Sequence, residues 1–460
     1  MKKQKNFIFK CSNCGHEEPK WLGRCPECGE WNTLIETASS DSAAGASRGR
    51  HAKTPYSYPL SSVDPQESVR ISSGIAEFDR VLGGGIMKRA TILVGGEPGI
   101  GKSTLLLQAA AAVRTQGRVL YISGEESAGQ VRMRADRLGI MDRDERGGDR
   151  IEICCVSALE DIKIVLEAVR PVVIIVDSAQ TLHTDMAGLT PGTVNQMKYC
   201  SWEMISWAKE HDAALFLVAH VTKDGAIAGP KTLEHMVDAV LYFEQNDGDC
   251  RFLRAAKNRF GSVDEIGIFT MGEKGLSTVE DPSLLFLVSR EGELPSGVAT
   301  AAVLEGSRAL LVEIQALTAP AKGAVSRVFS DRVDQARVSR IAAILEKHLN
   351  LRLSDQDLYI NVAGGIRITE VGVDLAIAAA LYSARTDVPL PVKTAIAGEL
   401  SLAGEVRPLR RLAGRVKAGK SLGFETFIGP ASDEANMDLT AVKDIKSAIR
   451  TLFAPSSDHA

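Results

Sequence analysis

Short apolar runs alternate with helix-forming stretches from residue 69 to about residue 255. Strand-like runs occur at 90–94, 118–123, 151–155, 172–176 and 213–219. Several runs are apolar at almost every position, which is typical of strands whose two faces are both covered. The pattern therefore predicts an α/β domain in which helices cover both faces of a parallel sheet.

The chain beyond residue 282 has a different pattern, with shorter and more mixed elements. Strands are expected on both sides of a turn at 305–308, an amphipathic helix at 337–348, and a buried helix of small residues at 374–380. A second strand–turn–strand pattern covers 398–408. This part of the chain is therefore expected to be an α+β domain.

The segment between the N-terminal cysteines and the α/β pattern is rich in Ser, Ala and Gly and has no apolar periodicity, which is typical of a flexible linker. We therefore expect four parts: an N-terminal module at 1–36, a linker at 37–60, the α/β domain at 61–281 and the α+β domain at 282–460.

A glycine-rich sequence joins the first strand-like run to a strong helix-forming stretch. Residues 96–103 read GEPGIGKS and fit the phosphate-binding pattern G-x-x-x-x-G-K-[ST]. Backbone N–H groups and a helix N-terminus can surround a phosphate there. Lys102 can reach the β- and γ-phosphates, and the Ser103 hydroxyl can ligate Mg²⁺, so ATP and Mg²⁺ are the expected ligands. The nucleotide-binding residues are expected to be Gly96, Glu97, Pro98, Gly99, Ile100, Gly101, Lys102, Ser103 and Thr104.

Polar residues follow three predicted strands at the ends where ligands gather in open parallel sheets. Asp177 closes an apolar run, as in the Walker B motif, and is expected to hold Mg²⁺. If the run at 118–123 lies beside the P-loop strand, Glu125, or else Glu126, can deprotonate the attacking water; either could instead be a helix N-terminal acid. His220 either senses the γ-phosphate or is a core histidine.

Four of the eight cysteines lie in the first 28 residues, as two C-x-x-C pairs that are each followed by glycine. The pairs are Cys11 with Cys14 and Cys25 with Cys28. Four thiolates at this spacing favour structural Zn²⁺, and a redox dithiol or an iron–sulfur site is the alternative. Because the segment has few apolar residues, a bound metal would supply the free energy that folds this zinc knuckle.

The composition is ordinary, with 45% hydrophobic residues and a net charge of −4. Global charge gives no indication of nucleic-acid binding, so a DNA-binding surface would have to be local. Two basic clusters in the C-terminal part could neutralise phosphates around a ring channel or could be solvated helix faces. They are Arg407, Arg410, Arg411, Arg415, Lys417 and Lys420, and Arg327, Arg332, Arg337 and Arg340. No membrane span or signal peptide is apparent, which predicts a cytoplasmic location.

A β-hairpin is predicted over 240–255, and it places two cations just beyond it, at the edge of the sheet. They are Lys257 and Arg259, in the pentad KNRFG at 257–261. Taken alone, the pentad could be a solvated basic turn.

Motifs along the chain resemble those of the RecA/DnaB-type ATPases. Besides the P-loop they are SSG at 72–74, GGG at 83–85, SGEES at 123–127, VDS at 176–178 and AHVTK at 219–223. With the cysteine knuckle and the pentad, the sequence resembles the RadA (Sms) family of bacterial DNA-repair proteins. The resemblance implies a RecA-like ATPase core in which Lys257 and Arg259 act in trans on a neighbour's γ-phosphate.

The same resemblance implies a DNA-dependent ATPase of DNA damage repair and homologous recombination, present as a homo-hexamer. It would translocate on single-stranded DNA and promote branch migration, with single-stranded and branched DNA and the recombinase RecA as partners.

Residues 282–460 resemble the proteolytic domain of Lon, which uses a Ser–Lys dyad. The matching positions here are Gly372 and Ala413, so the resemblance implies a ring-forming protease fold without protease chemistry. Two alternative functions remain. One is an ATP-dependent protease of the Lon type, which the missing dyad disfavours. The other is a signalling ATPase or small-molecule kinase whose ATP turnover is indifferent to DNA.

Overall fold

A computed structural model of the chain contains two compact units, at residues 1–67 and 68–460. The structure describes residues 7–11, 16–18, 23–28, 34–38, 59, 61, 69–141, 150–187, 193–220, 230–245, 250–279, 281–290, 292–321, 323, 326–432 and 438–453. Most of the predicted linker at 37–60 lies outside these residues. Among the helices that the structure describes, none combines the length and the apolar character needed to cross a bilayer.

The first unit contains a three-stranded antiparallel sheet in the order β2-β1-β3. Its strands are β1 (Phe7–Cys11), β2 (Glu17–Glu18) and β3 (Leu34–Ala38). Cys11 is the last residue of β1, and Cys28 lies in a turn at 26–28. Cys11 and Cys28 therefore lie in separate elements of this unit.

The second unit begins with an α/β domain. Its strands are β4 (Arg70–Ile71), β5 (Ile86–Met87), β6 (Thr91–Gly96), β7 (Val119–Ser123), β8 (Ile151–Cys154), β9 (Val173–Asp177), β10 (Ala214–His220), β11 (Ala239–Gln245), β12 (Cys250–Asn258), β13 (Ile266–Gly272) and β14 (Gly275–Thr278). Its helices are α1 (Ala76–Val81), α2 (Lys102–Ala112), α3 (Ala128–Arg137), α4 (Leu159–Val169), α5 (Val194–Glu210) and α6 (Pro230–Glu234).

Nine of these strands form one mixed sheet in the order β14-β13-β12-β11-β6-β10-β9-β7-β8. The strands from β11 through β8 in this order run parallel, as predicted. The remaining three, β12, β13 and β14, extend the sheet as an antiparallel meander. The domain is therefore a parallel α/β sheet with an antiparallel extension.

Both faces of the parallel strands are buried, which explains their uniformly apolar sequences. On β9, Val173 and Ile175 belong to one hydrophobic cluster, together with residues of α1, α2 and α3. Ile174 and Val176 belong to another, with residues of α4 and α5. Because successive strand residues point to opposite faces, each strand needs apolar side chains throughout.

The strand that precedes Glu125 does not lie beside the P-loop strand, and that expectation was wrong. Two strands, β10 and β9, separate β7 from β6. The apolar periodicity of a strand determines which faces are buried but carries no information about its neighbours, because a crossover helix can skip positions in the sheet. The actual neighbours of β6 are β10 and β11.

The C-terminal domain is an α+β fold around a seven-stranded mixed sheet in the order β17-β18-β16-β15-β19-β22-β23, with a separate β20-β21 ribbon. Its strands are β15 (Val298–Glu305), β16 (Arg308–Pro320), β17 (Val328–Ser330), β18 (Gln356–Val362), β19 (Thr394–Ile396), β20 (Glu399–Leu400), β21 (Val406–Arg407), β22 (Thr426–Gly429) and β23 (Thr440–Ala441). Its helices are α7 (Gln335–Leu349), α8 (Asp374–Thr386), α9 (Leu412–Ser421) and α10 (Ile445–Leu452).

The two domains of the second unit share one hydrophobic core. Phe252 and Ile268 of the α/β sheet belong to the same buried cluster as Val303 and Leu310 of the C-terminal sheet. Phe252 also stacks on Phe286, with ring centroids 6.4 Å apart. Burial of this apolar surface opposes independent motion of the two domains.

The buried Asp374 at the start of α8 gives the stability of the protein a specific pH dependence. Burial raises the pKa of Asp374 to about 6, although Arg337 opposes the shift. Because the folded protein binds this proton more tightly than the unfolded chain does, the stabilising contribution of protonated Asp374 is complete below about pH 4. It is lost as the pH rises through about 6.

We therefore expect Asp374→Asn, which cannot ionise, to be more stable than the wild type at pH 8 by about 3 kcal/mol. The two proteins should be equally stable near pH 4. Thermal denaturation of both proteins from pH 4 to pH 8 measures the difference. A gap that is constant across this range would show that ionisation of Asp374 is not its cause.

Candidate nucleotide site and metal cluster

The P-loop connects the end of β6 to the start of α2. Gly101, the residue before α2, has φ of +114°, a backbone conformation that favours glycine. Among the described residues, no side chain caps α2 and no acid lies in its first turn. Its first N–H groups therefore remain available to an anion.

Lys102, the first residue of α2, is buried with 3% of its surface exposed. Its Nζ donates to the carbonyl oxygens of Gly96 at 2.8 Å and Glu97 at 2.9 Å. Burial lowers the pKa of Lys102 to about 8, and the carboxylates of Asp177 and Glu125 oppose this shift. A phosphate at the loop would supply more negative charge and so favour the protonated lysine.

A chain of polar contacts joins Lys102 to Glu125 through His220. His220 Nδ1 lies 3.3 Å from Lys102 Nζ, and His220 Nε2 lies 3.3 Å from Glu125 Oε1. The Ser178 hydroxyl donates to Glu125 Oε1 at 2.6 Å. His220 can lie between Lys102 and Glu125 because it is the last residue of β10, and β10 pairs with β6 along its length. Glu125 therefore reaches the P-loop lysine from a strand that is not a neighbour of β6.

Glu126 has a different environment from Glu125. Its carboxylate forms an ion pair with Arg134 of α3, and its backbone N–H donates to the Ser123 hydroxyl at 3.0 Å. Its carboxylate is thus engaged by α3, whereas that of Glu125 faces Lys102 and His220. The geometry favours Glu125 over Glu126 as the base that the sequence analysis left open.

Asp177 is the last residue of β9 and is largely buried. The Tyr121 hydroxyl donates to its Oδ2 at 2.6 Å, which orients the carboxylate. Burial raises the pKa of Tyr121 well above its usual value, so this tyrosine remains a hydrogen-bond donor. Ser103, the second residue of α2, is partly exposed at the same end of the sheet. Such hydroxyl and carboxylate oxygens suit Mg²⁺.

The cations of the 257–261 pentad lie at the opposite end of the sheet from the P-loop. Antiparallel β12 ends beside the start of β11, where Asn258 pairs with Ala239 and Ala239 pairs with Ile92 near the start of β6. The P-loop follows the other end of β6. At Lys257 and Asn258, β12 pairs with β11 alone, because β13 pairs only with residues 250–254 of β12.

The two cations of the pentad differ in their availability. Lys257 Nζ donates to the carbonyl oxygens of Glu234 at 2.8 Å and Val237 at 2.7 Å. Its ammonium group is therefore occupied by hydrogen bonds at the end of α6 and just beyond it. The Arg259 side chain is 63% exposed and lies 3.3 Å from Asp238 Oδ1. Arg259 is therefore the better placed of the two to contact another molecule.

In the first unit, Cys11, Cys25 and Cys28 have Sγ atoms within 4.8 Å of one another. The Sγ atoms of Cys11 and Cys28 are 3.7 Å apart. Four tetrahedral Zn–S bonds of about 2.3 Å would separate sulfurs by roughly 3.8 Å, so these residues fit zinc. Cys14, the predicted fourth ligand, lies outside the described residues.

The place of the Lon nucleophile is filled by a buried ion pair that the sequence analysis did not identify. A Cβ on Gly372 would lie 2.7 Å from Glu370 Oε2 and 3.0 Å from Arg415 NH1. Arg415 is 1% exposed and its NH2 lies 3.0 Å from Glu370 Oε1. Arg415 therefore cannot belong to a DNA-binding surface, which corrects the first basic cluster.

Other members of the basic clusters are also engaged within the domain. Arg407 pairs with Glu399, Lys420 with Asp438 and Arg327 with Asp357. Arg337 donates to the carbonyl oxygens of Glu370 and Thr369. Most of these side chains nevertheless remain exposed: Arg327, Arg340, Arg407, Arg410, Arg411, Lys417 and Lys420.

Comparison with known families matches three parts of the chain. Residues 9–36 match a rubredoxin metal binding domain, residues 58–226 an AAA domain, and residues 324–433 subunit ChlI of Mg-chelatase. These matches accord with a metal-binding N-terminal ribbon, an ATPase domain and a Lon-like C-terminal domain.

Full-length relatives give the same assignment. The DNA repair protein RadA of Treponema pallidum (strain Nichols) is 56% identical, over 94% of each chain. RadA of Brucella abortus (strain 2308) is 45% identical over 90% of each chain, and RadA of Bacillus subtilis (strain 168) is 41% identical over 96% of this chain and 98% of its own. The chain therefore belongs to the RadA family of DNA repair proteins and carries an ATPase domain of the AAA type.

Proposed function

We propose that this protein is a Mg²⁺-dependent, DNA-stimulated ATPase that forms hexameric rings. It translocates on single-stranded DNA and extends recombination intermediates by branch migration, with branched DNA as substrate and the recombinase RecA as partner. The observation that carries the proposal is the position of Arg259. It is exposed at the end of the sheet away from its own P-loop.

That position favours a role between subunits. About four residues of β6 separate the level of the pentad from Gly96, which at roughly 3.3 Å per residue is about 13 Å along the strand. The Arg259 side chain is too short to span that distance to its own nucleotide. A neighbouring subunit that presents its P-loop to this surface would receive Arg259 at the γ-phosphate, as trans-acting arginines do in other NTPases.

In each subunit, the nucleotide contacts are assigned to residues 96–104, with Lys102 on the β- and γ-phosphates. Ser103 and Asp177 would hold Mg²⁺, which neutralises developing charge on the phosphates when bound. Glu125 would accept a proton from the attacking water, and Ser178 would hold its carboxylate in place. His220 contacts both Lys102 and Glu125. Its position could therefore couple the presence of the γ-phosphate to the position of the Glu125 carboxylate.

The N-terminal ribbon is proposed to bind structural Zn²⁺ through Cys11, Cys14, Cys25 and Cys28. For the C-terminal domain we propose sequence-independent phosphate contacts through its exposed basic residues. A protease role is not proposed, because the position that matches the nucleophile is glycine and the space beside it holds the Glu370–Arg415 pair.

The direct test is the ATPase rate of the intact chain with and without single-stranded DNA. We expect DNA to raise the rate severalfold or more, and Lys102→Ala to abolish it under both conditions. DNA-independent turnover would instead support a signalling ATPase or small-molecule kinase, and normal turnover by Lys102→Ala would remove the site assignment.

The two adjacent glutamates provide a matched pair of variants. Glu125→Gln should bind ATP normally and lower kcat by about 10²–10⁴-fold, because a general base is lost. Glu126→Gln removes the same charge one residue away and should change kcat by less than about threefold, since its partner is Arg134. Equal losses in the two variants, measured under saturating ATP and DNA, would refute the assignment of the base.

Mixing two impaired variants tests action between subunits: Lys102→Ala is expected to be inactive, and Arg259→Ala to keep a low but measurable rate. Arg259→Ala subunits retain an intact P-loop, and Lys102→Ala subunits retain an intact Arg259. In randomly mixed head-to-tail rings, one quarter of the contacts combine both intact groups, so we expect about 25% of the wild-type rate. If Arg259 acted on its own subunit's nucleotide, the mixture would not exceed the mean of the rates of the two variants measured alone.

A further inference from the structure

The turn at 305–308 of the C-terminal domain contacts the ATPase domain on both sides of the segment that carries Arg259. Before this segment, Arg254 NH1 lies 2.5 Å from Glu305 Oε1. After it, the Ser307 backbone N–H donates to the Asp264 carbonyl at 2.8 Å, and the Ser307 hydroxyl donates to Glu265 Oε2 at 2.6 Å. The turn therefore anchors both flanks of residues 255–263.

The approach at this turn is close enough to require glycine. Gly306 has φ of +61°, and a Cβ there would lie 1.8 Å from the carbonyl oxygen of Asp264. Any other residue would push the two backbones apart. At this point the backbone of the 305–308 turn packs directly against the backbone of Asp264, in the β12–β13 connection.

A buried ion pair fixes the same turn to helix α1. Arg308 NH1 lies 2.5 Å from Glu77 Oε2, and the side chains are only 15% and 8% exposed. Glu77 Oε2 also accepts from the backbone N–H of Ile268 on β13 at 2.9 Å. Water screens such a pair little, so loss of Arg308 leaves the Glu77 carboxylate with only the longer ion pair to Arg80, at 3.8 Å.

Helix α1 in turn holds the pentad. Asn258 Nδ2 donates to the carbonyl of Val81, the last residue of α1, at 3.1 Å. A Cβ on Gly261 would lie 2.9 Å from Gly83 Cα, just beyond α1. Arg70 donates to the carbonyl oxygen of Phe260 at 2.6 Å and also to that of Gly83. The pentad therefore cannot shift without moving α1.

We propose that the 305–308 turn positions Arg259 for its action on the neighbouring subunit. The C-terminal domain, which lacks protease chemistry, thereby supports ATP hydrolysis through a contact in its own subunit. Glu305, Gly306 and Arg308 are positioning residues, because they touch neither nucleotide nor Arg259 and act through α1, β12 and the β12–β13 connection. The inference rests on the trans role of Arg259 proposed above.

A double-mutant cycle between Arg308 and Arg259 tests the inference on the full-length chain, with ATP affinity and DNA-stimulated kcat as readouts. Arg308→Met should leave ATP affinity within about twofold and lower kcat roughly ten- to a hundredfold, as expected for a misplaced catalytic group. In the Arg259→Ala background the same change should alter kcat by less than about twofold, because there is no arginine left to position.

The matched control is Arg290→Met, which breaks a similarly buried pair inside the C-terminal domain, with Glu313 at 2.5 Å. It should leave kcat nearly unchanged in both backgrounds. Glu305→Leu, which removes the acceptor of Arg254, carries the same expectation as Arg308→Met and keeps the test decisive if Arg308→Met does not fold.

Equal fold losses for Arg308→Met in both backgrounds, or no loss in either, would overturn the inference while leaving the proposed function intact. A normal kcat for Arg259→Ala alone would instead remove the trans role itself. The single variant therefore tests the proposed function, and the cycle tests the role of the turn.

Discussion

The antiparallel pairing of β12 with β11 is the constraint on which this account depends. Had β12 run parallel to β11, its end would lie beside the P-loop and Arg259 could serve its own nucleotide. Because it runs back along the sheet, Asn258 lies beside Ala239, at the end where β6 begins. The exposed arginine and the phosphate-binding loop of one chain are therefore on opposite sides of the ATPase domain, which suits a ring of head-to-tail contacts.

The nucleotide site, at the other end of the sheet, is formed by parallel strands whose carboxyl ends lie at the same edge. His220 ends β10 and Asp177 ends β9, and Glu125 follows β7 after one intervening residue. The chain order scatters these residues over about a hundred positions, but the shared carboxyl edge places them in one row beside Lys102. The low pKa of Lys102 shows how strongly burial acts at this edge, where two carboxylates only partly offset the desolvation of the ammonium group.

The local parts of this site could be predicted from the sequence, and the long-range parts could not. The P-loop, Asp177 and His220 each stand at the end of an apolar run, so periodicity and motif spacing were sufficient. The strand order was not predictable in this way, and β7 was wrongly placed beside β6. The partner of Arg415 was also missed, since the Glu370–Arg415 ion pair joins residues 45 positions apart. The positive charge of Arg415 made it a candidate DNA contact. In the structure the same charge pairs with Glu370, and this ion pair allows Arg415 to be buried.

The central claim is that Arg259 serves the nucleotide of a neighbouring subunit, and a structure of the assembled protein with a non-hydrolysable ATP analogue, Mg²⁺ and single-stranded DNA tests it most directly. The account predicts the triphosphate beside Lys102 and Asp177 of one subunit, with the Arg259 guanidinium of the next within about 3 Å of a γ-phosphate oxygen. A nucleotide bound elsewhere, or an assembly in which Arg259 remains on Asp238 far from every phosphate, would contradict it.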